Sequence, residues 1–392
     1  MNFIYIIDAL RTPVGSPFKG LKNFTASQLA AVVIKEIVKR NDLDRSLINE
    51  VILGNTVSAG IGQSLARQAS IQAGLPVSIP AYAVNHVCGA SLQSLIIACQ
   101  AIRSGNAALI LAGGTESATQ CPLLFPNVDE NLEISKAKGR QFMESLINDG
   151  LFCQLTGKRM GELAEDVAQR FKISRKAQDQ FSLESHQKAV AAQKQGKFSK
   201  EIVPVNISSQ QVLNKDERPR KNLTLKSFEL LAPAFVKSGT VTSGNSSNPS
   251  DAACILMVAS EKFSHKNKLK PLARIAGHVS VAVEPKDVFI SAVPALKECL
   301  KKCRWSLEDV DLFEISEAFA APVLYAQKIL KIPPEKVNIW GGDIAIGHPL
   351  GAAGARILTT LCHALADQKK KRGLACISYG GGGCLATAVE RT

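Results

Sequence analysis

Two reactive side chains occur where a polar loop runs into an apolar, helix-like segment. Cys88 precedes Gly89 and a nearly wholly apolar stretch, and His348 precedes Pro349 and a stretch rich in alanine and glycine. A thiol at a helix N-terminus faces the positive end of the helix dipole, which favours the nucleophilic thiolate. An imidazole beside it could activate the thiol or donate to a developing oxyanion. Each residue alone also fits a structural role; as a pair they predict nucleophilic catalysis.

Four consecutive glycines, Gly380–Gly383, follow an apolar segment near the C-terminus. Such a run could place a backbone N–H beside a reacting carbonyl, although glycine runs also form plain turns. The chain contains neither GxGxxG nor GxxxxGK[ST], which argues against a dinucleotide oxidoreductase and a P-loop NTPase.

The elements that must position these residues alternate between strand-like and helix-like patterns. Apolar residues at helical spacing predict a helix over Ala26–Arg40. Short apolar runs predict strands at residues 3–7, 51–53, 107–112 and 374–377, the third ending at Gly113 and Gly114. This alternation predicts an α/β fold.

The same local design occurs twice. Cys88 is followed by a helix, a turn at residues 104–106 and a strand; His348 is followed by a helix, a basic turn at 369–372 and a strand. The repetition predicts a duplicated α/β unit in which both helices are central and their N-termini face one site. Between the halves, from about Thr115 to Thr242, charged residues are frequent and strand-like runs sparse, which indicates an inserted, partly helical region.

Composition narrows the class of protein. An apolar fraction of 46% and a charged fraction of 21% over 392 residues are typical of a globular protein. No segment has the roughly 18 to 20 unbroken apolar residues of a membrane span. The N-terminus has neither a basic region nor a small-residue cleavage site, so we expect a cytoplasmic location and no membrane partner.

The ten cysteines lie scattered in apolar segments without a CxxC pair, and Cys299 and Cys303 have no nearby ligand to complete a metal set. We therefore expect reduced thiols and no metal. The net charge of +13 suits a polyanionic partner. Nucleic acid is disfavoured because the basic residues do not interleave with aromatic ones, which make up only 5% of the chain. A phosphate-bearing cofactor suits the charge equally well.

Ordered motifs along nearly the whole chain resemble those of the thiolases. The matching segments are residues 11–15 (RTPVG), 62–63 (GQ), 66–69 (ARQA), 88–89 (CG), 112–117 (AGGTES), 160–165 (MGELAE), 241–247 (VTSGNSS) and 347–351 (GHPLG). The resemblance implies a thiolase-like fold with a duplicated five-layered α-β-α-β-α core. It also implies three regions: residues 1–117 with about 243–270 as the N-terminal half, 118–242 as an inserted coenzyme A-binding loop domain, and 271–392 as the C-terminal half.

The resemblance also implies a function. Acyl-CoA would acylate Cys88 with help from His348, and the backbone N–H groups of Cys88 and Gly380 would form an oxyanion hole. The acyl group would then enter Claisen condensation with acetyl-CoA or, in reverse, derive from thiolysis of a 3-ketoacyl-CoA. Coenzyme A would be a substrate rather than a bound cofactor, and a homodimer or homotetramer is expected. Positions that match the coenzyme A channel are Met160, Arg220, Phe235, Ser247, Ala318 and Phe319.

Two catalytic positions depart from the family pattern. The family's Asn-Glu-Ala-Phe begins here with Ser316; the asparagine holds a water, which a serine hydroxyl could also bind. An ungapped count from His348 places Ser378 where the family has the cysteine base that removes the α-proton of acetyl-CoA. A hydroxyl is a poor base near pH 7. A gapped alignment would instead give that role to Cys376.

Three functions remain open at this point. The chain is an ordinary acyl-CoA C-acyltransferase, or it acylates Cys88 and passes the acyl group to another acceptor, or it is a silent acyl-CoA-binding partner. Retention of Cys88 and His348 argues against the silent partner, and the serines at 316 and 378 argue against unmodified Claisen chemistry.

Overall fold

The computed structural model describes residues 3–125 and 141–392. The strands are β1 (Ile4–Arg11), β2 (Glu50–Gly54), β3 (Ala81–Val84), β4 (Leu109–Ser117), β5 (Leu123–Leu124), β6 (Met143–Glu144), β7 (Phe152–Cys153), β8 (Lys158–Arg159), β9 (Val205–Asn206), β10 (Val212–Leu213), β11 (Asp251–Ser260), β12 (Ala273–Ala282), β13 (Leu312–Ile315), β14 (Arg372–Tyr379) and β15 (Gly383–Arg391). The α-helices are α1 (Ala26–Arg40), α2 (Leu65–Gln72), α3 (Ala90–Arg103), α4 (Met160–Arg170), α5 (Arg175–Lys194), α6 (Leu225–Glu229), α7 (Glu261–Lys266), α8 (Ala292–Cys303), α9 (Ala320–Leu330), α10 (Asp343–Ile346) and α11 (Ala353–Asp367).

Nine strands form one sheet in the order β13-β14-β15-β12-β1-β11-β4-β2-β3. The order β1-β11-β4-β2 in the first half is repeated as β12-β15-β14-β13 in the second, and the parallel pairing of β2 with β4 is repeated as that of β13 with β14. The first half has a further parallel pair, β2 with β3. The halves join through a short antiparallel pairing of β1 with β12 at Tyr5–Arg274 and Ile6–Ala273. The predicted duplication is therefore a feature of the fold, with β3 as an additional edge strand in the first half.

Three apolar clusters define the layers. One cluster lies between α1, α2 and the outer face of the first half-sheet. A second lies between α8, α9 and the outer face of the second half-sheet. The third contains residues of both half-sheets together with the central helices α3 and α11. The sequence of layers is helix, sheet, helix, sheet, helix, and the predicted five-layered α/β core is confirmed.

Local sequence explains the outer and the central helices differently. Thr25 and Gln28 form a capping box at the start of α1, whose apolar face packs on the sheet, and its bounds are those predicted. By contrast, 13 consecutive residues of α11, from Ala353 to Leu365, are buried. A helix that is buried on all sides needs the small and apolar residues that the alanine- and glycine-rich sequence supplies.

The prediction that a strand ends at Gly113 and Gly114 is wrong, because β4 continues to Ser117. A Cβ at Gly113 would lie 2.0 Å from the carbonyl oxygen of Cys254, and one at Gly114 would lie 2.1 Å from that of Gly351. The glycines are present because neighbouring backbone approaches them closely, and not because a turn begins there.

The described part of the inserted region contains α4, α5 and α6 and three pairs of antiparallel strands, each strand two residues long. α4 packs against α9, and α5 packs against α9 and α10, so both helices lie on the second half of the core. Among the described residues, no helix is long and apolar enough to span a membrane, and no group of His, Cys, Asp or Glu side chains could hold a metal ion.

Candidate active site

The loop before α3 holds Cys88 in a strained turn. Val87 has φ of 49°, a left-handed conformation that a β-branched residue adopts only when its surroundings impose it. The carbonyl of Val87 accepts the hydroxyl proton of Thr56 at 3.0 Å, and the N–H of Gly89 donates to the carbonyl of His86 at 3.0 Å. The turn therefore places the half-buried Cys88 thiol immediately before the N-terminus of α3.

A second loop brings His348 to the same place from the other half. Gly347 has φ of 113°, and a Cβ there would lie 2.4 Å from Oγ of Ser250, so only glycine fits. The N–H of His348 donates to the carbonyl of Asn248 at 2.9 Å. A single 3₁₀ turn, Leu350–Ala352, then leads into α11. The two central helices thus begin at one site, as the repeated design predicts.

One cavity of about 290 Å³ connects the candidate residues. Cys88, His348, Ser378 and Gly380 all line it, and Ser316 does not. The other lining residues are Ile147, Gly150, Leu151, Arg159, Met160, Gly161, Ala234, Phe235, Ser243, Ser246, Ser247, Asn248, Pro249, Phe289, Ala318 and Phe319. The walls are largely apolar with a few polar groups, which is typical of a small-molecule site.

His348 is buried and electrostatically tied to Cys88. Neither ring nitrogen has a hydrogen-bond partner of good geometry among the described residues, although Nδ1 lies 3.4 Å from Oδ2 of Asp343. Burial opposes a charge on the imidazole, but the Cys88 thiolate and Asp343 outweigh it and raise the pKa of His348 to about 10. With a free thiolate, His348 therefore carries the proton and the two side chains form an ion pair.

Asp343, at the start of α10, is fully buried beside His348. Nη2 of Arg356 donates to Oδ1 of Asp343 at 2.6 Å, and Oγ of Ser316 donates to Oδ2 at 2.6 Å. The N–H of Glu317 also donates to Oδ2, at 3.0 Å. Burial acts to raise the pKa of Asp343, but Arg356, His348 and Ser316 hold it below its usual range. The carboxylate is thus ionised next to the imidazole.

This geometry changes the interpretation of Ser316. The sequence suggests that the hydroxyl binds a water in place of the family's asparagine. In the structure, Ser316 lies outside the cavity lining and its hydroxyl proton is committed to Asp343. Ser316 therefore influences His348 indirectly, through its hydrogen bond to the carboxylate of Asp343.

Ser378 lines the cavity but its proton points away from it. Oγ of Ser378 lies 3.0 Å from Oγ of Ser291, which in turn donates to the carbonyls of Val288 and Gly383. Because a serine has a single hydroxyl proton, Ser291 uses its own on a carbonyl and accepts that of Ser378. Ser378 therefore presents oxygen lone pairs to the cavity, and its neutral hydroxyl is only a weak base.

The alternative residue, Cys376, lies elsewhere. It is fully buried, its Sγ is 3.3 Å from Sγ of Cys384, and it does not line the cavity. The hydrogen bond with Cys384 and burial raise its pKa well above the usual value for a thiol. The structure thus gives no support to Cys376 as the base.

Five of the six predicted coenzyme A positions line the cavity: Met160, Phe235, Ser247, Ala318 and Phe319. Phe235 packs edge-on against Phe319, with ring centroids 5.9 Å apart, and the N–H of Ser247 donates to the carbonyl of Ala318 at 2.9 Å. Arg220, the sixth, is exposed and is absent from the cavity lining. Its backbone N–H donates to Nδ1 of His186 at 3.2 Å.

Sequence analysis missed Asp343, Arg356 and Ser291. None belongs to a motif, and an isolated serine or aspartate in an apolar segment has many structural explanations. The one available signal is that Asp343 lies just before the candidate histidine in a segment, 344–347, without other charges. That signal does not identify Arg356 as its partner.

Comparison with protein families agrees with this architecture. Residues 4–262 match the family model described as Thiolase, N-terminal domain, and residues 269–391 match the one described as Thiolase, C-terminal domain. The chain belongs to the thiolase family. The resemblance inferred from the ordered motifs is confirmed.

Known thiolase-family proteins are similar to the chain over its whole length. A protein of Staphylococcus aureus (strain MRSA252), named "Probable acetyl-CoA acyltransferase", is 42% identical over 396 aligned positions that cover 100% of both chains. The Bacillus anthracis acetyl-CoA acetyltransferase structure is 35% identical, with a TM-score of 0.95 and coverage of 100% and 99%. The Acat5 thiolase from Ascaris suum, solved in complex with coenzyme A, is 37% identical, with a TM-score of 0.93 and full coverage of both chains.

Proposed function

We propose that this acyl-CoA acyltransferase works through a covalent acyl-enzyme on Cys88. The observation that carries the proposal is the meeting of Cys88 and His348 at the N-termini of α3 and α11 in one cavity. The thiolate attacks the thioester carbonyl, and coenzyme A leaves with a proton from His348. The backbone N–H groups of Cys88 and Gly380, which both line the cavity, would stabilise the oxyanion.

Acyl-CoA is the proposed substrate, with no permanently bound cofactor. The apolar cavity wall formed by Met160, Phe235 and Phe319 fits the pantetheine arm, and Arg159 at the rim supplies a positive charge. Residues 118–242 are the proposed coenzyme A-binding insertion, between halves formed by 1–117 with about 243–270 and by 271–392. The Ascaris suum thiolase named above binds coenzyme A, which supports the same ligand here.

The proposed overall reaction is thiolytic cleavage of a 3-ketoacyl-CoA or its reverse, condensation with acetyl-CoA. A second candidate is transfer of the acyl group from Cys88 to a different acceptor. The hydrogen bond from Ser378 to Ser291 favours this second candidate, because it leaves the cavity without the thiol base that Claisen chemistry uses in the family. Catalytic silence is disfavoured, since both Cys88 and His348 face the cavity.

A homodimer or homotetramer in the cytoplasm remains the expectation for the assembled enzyme. β3 lies at one edge of the sheet, and its Tyr82 is 40% exposed although the ring is large and apolar. An unpaired edge strand with an exposed aromatic side chain is a plausible contact for a second copy. Light scattering of the purified protein measures the assembly directly.

Covalent labelling tests the acyl-enzyme. Protein incubated with radiolabelled acetyl-CoA, quenched in acid and digested should carry the label on the peptide that contains Cys88. Cys88→Ala should lose all label, because Cys88 is the one thiol among the described residues that line the cavity. Label that persists in Cys88→Ala would exclude Cys88 as the nucleophile.

Cys121→Ala is the matched control. Cys121 is also half-buried, but burial together with Glu116 and Asp251 raises its pKa to about 12, so it is unreactive near neutral pH. This variant should retain full labelling. Cleavage of acetoacetyl-CoA by free coenzyme A, measured on the same samples, separates C-acyltransferase activity from acylation alone.

A further inference from the structure

Behind His348, outside the cavity lining, lies the buried carboxylate of Asp343, which the family resemblance does not supply. We propose that Asp343 completes a triad with Cys88 and His348 and positions the imidazole as the base for an acceptor that bears its own proton, either the thiol that thiolysis itself uses or water. Asp343 is a positioning residue in this scheme, since it touches His348 and not the substrate. The inference rests on the proposed Cys88 acyl-enzyme and concerns its second half-reaction.

The contacts of Asp343 determine which imidazole nitrogen faces the acyl group. Nδ1 of His348 lies 3.4 Å from Oδ2 of Asp343, which also accepts from Ser316, and Arg356 holds the other carboxylate oxygen, Oδ1. A carboxylate accepts hydrogen bonds and donates none, so neutral His348 keeps its proton on Nδ1. Nε2 then presents a lone pair to the cavity and acts as a base.

A base at Nε2 suits an acceptor with an acidic proton of its own. Attack by a carbon acceptor needs a different arrangement, in which one group removes an α-proton while a donor polarises the acceptor's thioester oxygen. Ser378, at the position of the family's carbon base, gives its own proton to Ser291. Its hydroxyl is too weakly acidic to ionise and remove an α-proton. Both departures from the family pattern therefore point to the same class of acceptor.

The transfer step balances without a further reactant. The acceptor oxygen or sulfur attacks the acyl carbon, its proton moves to Nε2 of His348, and the tetrahedral intermediate forms. The C–Sγ bond to Cys88 then breaks, its electron pair returns to sulfur, and the products are a carboxylic acid or a new thioester. The step leaves the enzyme with a Cys88 thiolate and a His348 imidazolium, whose opposite charges stabilise each other.

Acylation itself prepares His348 for this role. Cys88 and Asp343 are the two residues that raise the pKa of the imidazole, and an acylated Cys88 sulfur carries no negative charge. The pKa of His348 therefore falls once the acyl-enzyme has formed, which releases the base for the second step. Asp343 keeps the ring oriented throughout.

Single-turnover deacylation tests the inference. Acetyl-enzyme prepared with acetyl-CoA and freed of excess reagent is followed by the mass of the Cys88 peptide, in buffer alone and with added N-acetylcysteamine. Loss of acetyl in buffer identifies water as the acceptor, and formation of acetyl-N-acetylcysteamine identifies a thiol. An acetyl-enzyme that is stable in both and decays only when acetyl-CoA is supplied as a carbon acceptor overturns the inference.

Asp343→Asn should slow this deacylation by at least about 100-fold, because the amide N–H₂ facing Nδ1 favours the tautomer with its proton on Nε2. The pH midpoint of the remaining reaction should move down, since Asp343 raises the pKa of His348. The charged groups facing the imidazole are Asp343 on α10 and Cys88 before α3, with Arg356 acting through Asp343. Deacylation at an unchanged rate and midpoint contradicts the role of Asp343.

Glu314→Gln is the matched control. Glu314 is a second buried carboxyl beside Arg356, at 4.0 Å, and makes no contact with His348. Burial raises its pKa well above the usual value, so the neutral glutamine is close to its native state. The variant should deacylate at the wild-type rate.

Asp343→Ala provides an independent measurement if the asparagine variant does not fold. It leaves a hole beside Arg356 that a formate ion can fill, and added formate should restore deacylation at least about 5-fold. A residue that only supports the fold would show no such rescue, and a folded Asp343→Ala protein without rescue overturns the inference. The proposed acyl-enzyme fails by a different observation: no acetyl group on Cys88 at all, which removes both proposals together.

Discussion

Single hydrogen bonds decide what each polar residue of the cavity can do. His348 and Ser378 both line the cavity, but among the described residues no hydrogen bond of good geometry occupies Nε2 of His348, whereas Ser378 gives its proton to Ser291. The first is free to exchange a proton with substrate, and the second is restricted to accepting hydrogen bonds. Residue type alone does not distinguish these states, since each depends on a partner distant in sequence.

Among single residues, Ser378→Cys should increase the rate of acetoacetyl-CoA cleavage by at least about 10-fold. This is a modest expectation, because general acid–base catalysis usually contributes about 100-fold or more. A thiol at this position has a far lower intrinsic pKa than a hydroxyl and can exchange the α-proton of the acetyl unit. Steady-state thiolysis by free coenzyme A measures the change.

Ser291→Ala distinguishes acidity from orientation. It removes the acceptor of the Ser378 proton without making the hydroxyl more acidic, so it should give no comparable gain. A well-folded Ser378→Cys protein without any gain would mean that Ser378 does not occupy the position of the carbon base.

At the scale of elements, the site depends on how the two halves are joined near the starts of α3 and α11. Glu116, near the end of β4, is buried between them. Its carboxylate accepts from the N–H of Gly351, in the turn before α11, at 2.9 Å and from the N–H of Thr56, after β2, at 3.0 Å. Nδ2 of Asn55 donates to it at 2.9 Å. Glu116 thus contacts the turn before α11 directly, and it reaches the Cys88 loop through Thr56, whose hydroxyl donates to the carbonyl of Val87.

Glu116→Ala should lower the free energy of unfolding by about 3 kcal/mol, because it leaves several buried N–H donors without an acceptor. Acylation of Cys88, the step in which coenzyme A leaves, should slow as well, because the loop that carries His348 loses its hydrogen bond to Glu116. Urea denaturation measures the first effect and pre-steady-state kinetics the second.

Glu298→Ala is the control for a carboxylate with little structural role. Glu298 is exposed on α8 and its pair with Lys301 is 3.9 Å long, so the expected change is within about 0.5 kcal/mol. Equal stability of Glu116→Ala and the wild type would show that other contacts hold the two loops together.

For the whole molecule, charge and shape have separate roles. The net charge of +13 attracts polyanions from a distance, whereas the cavity that holds Cys88 and His348 is mostly apolar. Coenzyme A matches this division, with phosphates at one end and a thiol at the other. Arg220 is exposed and its neighbour Arg218 is buried; both lie outside the cavity lining.

Arg220→Ala should therefore weaken coenzyme A binding more at low ionic strength than at high, because salt screens an exposed charge. Isothermal titration calorimetry at about 20 mM and about 500 mM salt measures the difference, with Debye lengths of roughly 20 Å and 4 Å.

Lys297→Ala, which removes an exposed charge from α8 on the outer layer, is the control. It changes the net charge equally but should change affinity little at either ionic strength. An Arg220→Ala affinity equal to that of the wild type at both salt concentrations would exclude a contact with coenzyme A.

Much of the fold and part of the site were predictable from sequence, because they depend on local chemistry. The capped, amphipathic α1, the repeated loop–helix–strand design and the loop–helix positions of Cys88 and His348 are all visible in short windows of sequence. Glycines at positions 113 and 114 were misinterpreted, since their reason is backbone contributed by Cys254 and Gly351.

The α/β class, the duplication, the family and the candidate residues Cys88 and His348 could all be inferred from the sequence. The partners of the cavity residues could be found only in the fold, where Asp343 lies beside His348, Arg356 and Ser316 contact Asp343, and Ser291 lies beside Ser378. The reason is physical: the protonation and tautomer of a buried group depend on charges and hydrogen-bond partners within a few ångströms, and folding brings those partners from distant parts of the chain.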